Sequence, residues 1–207
     1  MYKIKEIYYT IQGEGANAGS PAVFCRFAGC NLWSGREEDR HKAICNFCDT
    51  NFFGTDGVNG GSYTAESLVE KLLSLWPNEE QVMVVCTGGE PMLQLDEALI
   101  DLMHAHNIFI AIETNGTMHV PDSIDWICVS PKADTEIVQT KGHELKLVYP
   151  QIENKPSDFE QLQFDHFYLQ PLDNSKKEVN TYQCMQYCLE NPKWKLSLQI
   201  HKYLGIE

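Results

Sequence analysis

Val82-Met83-Val84-Val85-Cys86-Thr87-Gly88-Gly89-Glu90-Pro91 is a run of five apolar residues that passes directly into a polar, glycine-rich turn. A strand this short and apolar on both faces has no solvent side, which is the habit of a central strand in a parallel sheet. The flanking sequence agrees. On the N-terminal side, Thr64 suits a helix N-cap, and Leu68, Val69, Leu72, Leu73 and Trp76 form one apolar face before Pro77 stops the helix. On the C-terminal side, residues 95–106 read as an amphipathic helix with Leu95, Leu99, Leu102 and Met103 inward, followed by a strand at 108–112. Further strands are expected at 3–11, 21–28, 124–129, 145–148, 167–169 and 196–200, with a helix near 181–189. Apolar strands alternating with helices predict an α/β fold, a parallel sheet closed or partly closed into a (β/α) barrel.

Each apolar strand runs into polar residues. Cys86 leads to Thr87-Gly88-Gly89-Glu90, Ile112 to Glu113-Thr114-Asn115, Val129 to Ser130-Pro131-Lys132, Leu169 to Gln170-Pro171, and Ile200 to His201-Lys202. The carboxyl ends of barrel strands form the active-site face, so these groups are expected at one mouth. Taken singly, Gly88-Gly89 suits a turn, Ser130-Pro131 a strand stop and His201 a surface position; their joint occurrence points to a site.

Facing that mouth should be Cys30, then fourteen residues, then Cys45-Asn46-Phe47-Cys48-Asp49-Thr50. Three thiolates turned to one point suit a metal centre and leave a four-coordinate centre one ligand short. Either another side chain such as His41 closes a structural zinc site, or the fourth position is open for chemistry. Cys25, Cys86 and Cys128 lie in apolar runs and read as core, as do Cys184 and Cys188 on a helical packing stripe. At 207 residues and 43% hydrophobic, the chain can bury a core as one domain spanning 1–207, with a cysteine-bearing insertion at about 30–50. A net charge of −13 disfavours nucleic acid as a partner. With no apolar stretch of membrane length, a soluble cytoplasmic protein is expected.

These motifs resemble the radical S-adenosylmethionine superfamily, through the cysteine triad and Gly88-Gly89-Glu90-Pro91. The fourteen-residue first gap departs from that superfamily's usual three. Together with Gln12-Gly13-Glu14-Gly15, Arg26-Phe27-Ala28-Gly29-Cys30-Asn31-Leu32, Cys48-Asp49-Thr50 and His201-Lys202-Tyr203-Leu204, it resembles the 7-carboxy-7-deazaguanine synthase family of queuosine biosynthesis. The resemblance implies a [4Fe-4S] cluster on Cys30, Cys45 and Cys48 with one iron left for S-adenosyl-L-methionine, and Mg²⁺ on Thr50. It implies cofactor contacts from Phe47, Gly88, Gly89, Glu90, Asn115, Ser130, Pro131, Lys132, Gln170, Pro171, Leu172 and Asp173. Substrate contacts would come from Ile11, Gln12, Gly13, Glu14, Arg26, Thr87, His201 and the C-terminal Glu207. The implied reaction is radical ring contraction of 6-carboxy-5,6,7,8-tetrahydropterin to 7-carboxy-7-deazaguanine, with loss of ammonia. A homodimer and an electron donor such as a flavodoxin complete the picture. A glycyl-radical activase or a zinc-stabilised binding module is the alternative; the fourteen-residue gap counts against the activase.

Overall fold

A computed structural model of the chain describes residues 1–206. Its strands are β1 (Tyr2–Ile11), β2 (Pro21–Phe27), β3 (Gly61–Tyr63), β4 (Val82–Gly88), β5 (Ile108–Thr114), β6 (Trp126–Val129), β7 (Lys141–Tyr149), β8 (Gln163–Pro171) and β9 (Trp194–Leu196). The helices are α1 (Ala65–Ser74), α2 (Glu97–Ala105), α3 (Lys177–Glu190) and α4 (Ile200–Leu204). All nine strands form one sheet in the order β3-β1-β2-β4-β5-β6-β7-β8-β9. From β2 to β9 every neighbouring pair is parallel. The two edges do not meet, so the sheet is a partial barrel.

The parallel expectation fails at one edge. β1 is antiparallel to both β2 and β3. Only the loop 12–20 joins β1 to β2, too short for a crossover, whereas an antiparallel partner needs only a turn. A second difference lies at the C-terminus, where 196–200 was expected as a strand. β9 ends at Leu196, and α4 begins at Ile200. The Ser197 N–H still donates to Leu169 O of β8 (2.9 Å), but beyond it the segment turns to the β1–β2 loop: Gly15 N donates to Ser197 Oγ (2.9 Å) and Ile200 N to Gly13 O (2.9 Å).

α1, α2 and α3 pack on one face of the sheet, whereas α4 buries no residue. α1 has ten residues, too few for stability alone. Thr64 caps it reciprocally with Ser67, and Leu68, Val69 and Leu72 are buried. α2 starts at Glu97 because Asp96 accepts from Leu99 N, and it buries Leu99, Ile100 and Met103. Each such side chain contributes roughly 1.5–3 kcal/mol of burial. These pack against Ile4, Val84, Ile110, Ile112, Leu145 and Leu147. On the other face, Ala22, Val85 and Ala111 are buried beneath Phe24, Met83, Phe109 and Trp126. Among the described residues, no helix is long and apolar enough to cross a membrane.

Candidate active site

The carboxyl ends of β2 and β4 through β8 open into one cavity of about 510 Å³, closed on one side by residues 45–52 and on another by α4. That volume lies in the range of small-molecule sites, about 300–1,000 Å³. Cys30, Cys45 and Cys48 share this wall with Phe47 and Thr50. The long gap returns to its start through the Leu32 carbonyl, which accepts from Ile44 N (3.1 Å) and Cys45 N (3.4 Å). A hydrogen bond from the Cys45 thiol holds Cys48 below the usual thiol range and raises Cys45 in turn. His41 is exposed and lies off the cavity wall. Among the described residues, no three His, Cys, Asp or Glu side chains converge on a single-ion position. The donor set therefore does not fit a closed zinc knuckle, whose four ligands crowd one ion at about 2.0–2.3 Å. Three cavity-facing thiols, with His41 off the wall, fit an iron–sulfur cluster with one open iron.

Gly88 and Gly89 also line the cavity, and their lack of Cβ matters first within the protein. Gly88 has φ +126°, and a Cβ there would lie 2.2 Å from Phe27 O. At Gly89 it would lie 1.9 Å from Gly29 O. The glycines thus let the end of β4 lie against the segment that carries Cys30. Glu90 departs from its expected place: it is 0% exposed and does not line the cavity. Its carboxylate accepts from Met92 N (3.0 Å), Thr114 Oγ1 (2.8 Å) and Asn115 N (2.8 Å), tying the end of β4 to the end of β5. Burial raises its pKa despite those donors. Pro131 is likewise buried and off the wall, because the chain turns there to place Ser130 and Lys132 in the cavity. Lys132 Nζ donates to Ser130 O (2.8 Å) and Oγ (2.7 Å). Asn115 donates to Asn31 Oδ1 at 2.9 Å, joining the end of β5 to the cysteine loop. Gln170, Pro171, Leu172 and Asp173 complete this side.

The lining also includes Ile11, Gln12, Gly13, Glu14, Arg26, Thr87 and His201; Glu207 lies outside the described residues. Arg26 donates from Nε to Glu6 (2.7 Å) and from Nη2 to the Tyr8 hydroxyl (2.8 Å), so its fork is fixed in the wall. Lys146, only 2% exposed, donates to Glu14 (2.7 Å) and Glu113 (2.6 Å). Burial alone would raise the Glu14 carboxyl, but the Lys146 ammonium overrides it and brings the group down to about 2. Gln12 Nε2 donates to Glu113 Oε1 (3.1 Å), and Gln199 Nε2 to Glu14 Oε1 (3.0 Å). The Gln12-Gly13-Glu14-Gly15 run owes its glycines to its neighbours. A Cβ on Gly13 would lie 2.3 Å from His201 Nδ1, and one on Gly15 1.9 Å from Glu144 Oε1. Burial lowers the His201 pKa, so its imidazole favours the neutral form. Glu6, Tyr8, Glu113, Lys146 and Gln199 line the cavity without having been singled out as contacts. Glu113 and Lys146 did carry a signal, being charges within otherwise apolar strands.

A family model described as the radical SAM superfamily matches residues 41–131. The match begins beyond Cys30, inside the long gap. Among curated proteins, the 7-carboxy-7-deazaguanine synthase of Burkholderia multivorans is 59% identical, with 99% of each chain covered. That of Caulobacter vibrioides is 57% identical, again with 99% of each covered. Among solved structures, QueE from Escherichia coli is similar at a TM-score of 0.75 and 26% identity, covering 97% of this chain and 94% of its own. With full-length identity at this level and a partial barrel holding three cysteines at one mouth, the chain belongs to the 7-carboxy-7-deazaguanine synthase family of the radical S-adenosylmethionine superfamily.

Proposed function

We propose that this cavity converts 6-carboxy-5,6,7,8-tetrahydropterin to 7-carboxy-7-deazaguanine and ammonia by radical ring contraction. The observation that carries the reading is the pairing of three thiols and an arginine–carboxylate wall in one cavity. Cys30, Cys45 and Cys48 would hold three irons of a [4Fe-4S] cluster. When bound, the cluster and S-adenosyl-L-methionine supply the electron and the radical that begin the reaction.

The chain's own residues bind and orient. Phe47 offers a ring face to adenine beside the cysteines. Asn115, Ser130, Lys132, Gln170, Leu172 and Asp173 present polar and apolar surface for the rest of the cofactor. Arg26, fixed by Glu6 and Tyr8, suits the substrate carboxylate through charge-assisted hydrogen bonds. Glu14, kept ionised by Lys146, accepts from the amino and ring N–H groups of a pterin, while Gln12, Thr87 and neutral His201 complete that edge. Glu90 acts from behind by holding Thr114 and Asn115 in place.

Thr50 would serve Mg²⁺ through one hydroxyl, in keeping with an ion that retains waters and binds largely through its substrate. A cytoplasmic homodimer reduced by a flavodoxin-like donor follows from the resemblance of the motifs. Product mass tests the reaction. Anaerobic incubation of cluster-loaded protein with S-adenosyl-L-methionine, reductant, Mg²⁺ and the pterin is expected to yield 7-carboxy-7-deazaguanine without stoichiometric loss of S-adenosyl-L-methionine. Cofactor cleavage with the pterin untouched would sink the substrate assignment. Thr50→Ala is expected to keep its iron and lose most of its rate response to Mg²⁺. A Mg²⁺ titration that superimposes on that of the unaltered protein would remove Thr50 from the ion.

A further inference from the structure

The fourteen-residue gap carries a six-residue 3-10 helix, Glu37–Lys42, whose last turn supplies Arg40. Arg40 Nη1 donates to two main-chain carbonyls of the cysteine turn, Asn46 O and Cys48 O, each at 3.0 Å. Its other nitrogens meet both oxygens of Glu37, at 2.7 Å from Nε and 2.6 Å from Nη2. The guanidinium carbon lies 4.0 Å from the ring centroid of Trp33, and Trp33 is itself buried edge-on against Phe52. One side chain therefore touches the start of the gap, its middle and the turn that follows it. Glu37 fixes the fork in one orientation, Trp33 fixes its plane, and only the remaining edge can reach the turn. The Leu32 carbonyl ties the loop back at Ile44 and Cys45, and Arg40 adds the hold on the carbonyls of the turn beyond, at Asn46 and Cys48. Glu37 is 75% exposed and screened by water, whereas the Arg40 side chain is 30% exposed and faces the turn. The edge left free by Glu37 brings the Arg40 charge onto the Asn46 and Cys48 carbonyls of the cysteine turn.

We propose that Arg40 is the positioning residue of the cysteine turn: it holds the Asn46 and Cys48 carbonyls and sets a fixed positive charge beside the thiols. It thereby secures the cluster and makes it easier to reduce. The inference rests on the cluster reading of Cys30, Cys45 and Cys48.

The test uses the full chain, reconstituted anaerobically, with two readouts: iron loss to a ferrous chelator and the cluster midpoint potential by EPR-monitored titration. Arg40→Leu is expected to lose iron at least about tenfold faster. Its reduction equilibrium is expected to shift threefold to tenfold toward the oxidised form, up to about 59 mV for one electron. Arg40→Lys keeps the charge without the fork, and should recover the potential but not the retention. Should Arg40→Leu fail to fold, Glu37→Gln frees the fork at an exposed site and should lose iron about threefold faster. Unaltered iron retention in these variants, or an unchanged potential in Arg40→Leu, overturns the proposal. If the unaltered protein takes up no iron and sulfide, the cluster reading has failed instead.

Discussion

Cys45→Ala is expected to leave the anaerobically reconstituted chain colourless and inactive, with iron and sulfide near zero in place of about four of each. Cys45 is 4% exposed, and its main-chain N–H is held by the Leu32 carbonyl, so no neighbouring atom can swing in to replace its thiol. The other cysteines cannot substitute. Cys25, Cys86 and Cys128 are buried within strands, Cys184 and Cys188 sit on α3, and none of the five lines the cavity. Two thiolates cannot anchor three irons. The fold should survive, because the lost group is one small side chain in a loop and the apolar core lies elsewhere. The thermal midpoint is therefore expected to move by no more than about 4 °C, the shift of a roughly 1 kcal/mol change in a domain of this size. Cys188→Ala serves as the control and should retain full iron. A Cys45→Ala protein that still binds four irons would place the cluster elsewhere.

Much of this architecture is legible in the sequence because burial leaves a periodic trace. The apolar strand ending at Cys86 marks the middle of the sheet, and the polar residue after each such strand marks the mouth. The triad is legible because thiols outside apolar runs are unusual. What escapes is decided by partners far away in the chain. β1 reads as a strand, but its antiparallel direction is set by the nine-residue connection 12–20. Ser197 and Gln199 alternate with leucines as they would in a strand, yet their side chains serve Gly15 N and Glu14. Glu90 follows the double glycine as an obvious cavity acceptor, and only its two distant donors, Thr114 and Asn115, reveal that it faces inward. Gly88-Gly89 reads as clearance for a ligand; the nearer obstacle is the Phe27 to Gly29 backbone.

Lys146→Met should cost about 3–5 kcal/mol of unfolding free energy at neutral pH, the usual penalty for removing one partner of a buried ion pair. The loss is large because one ammonium serves Glu14 and Glu113 directly, with Glu144 and the Cys128 thiol close behind. The pH dependence identifies the cause. In the unaltered protein the Glu14 carboxyl is depressed to about 2 from an ordinary 4.5. Its contribution to stability is therefore fully present above about pH 4.5 and fades as the pH falls toward 2. Glu144 has the opposite sign: burial first of all raises it, so its contribution is present at acid pH and fades as the pH rises through its elevated pKa. Without Lys146, only the Gln199 hydrogen bond and His201 still oppose burial at Glu14, so its carboxyl shifts toward the protonated form that Glu144 favours. The variant should accordingly recover on acidification while the unaltered protein weakens. Urea unfolding at pH 7 and pH 4 measures the gap, which is expected to narrow by at least half; a gap that stays constant would mean lost packing and not lost charge. Adding Glu113→Gln to Lys146→Met removes one stranded carboxylate and should restore about 1–2 kcal/mol, within the coupling range of neighbouring groups. Glu14 and Glu113 also line the cavity; under the proposed placing of the pterin edge against Glu14, KM for the substrate should rise while iron content stays at four.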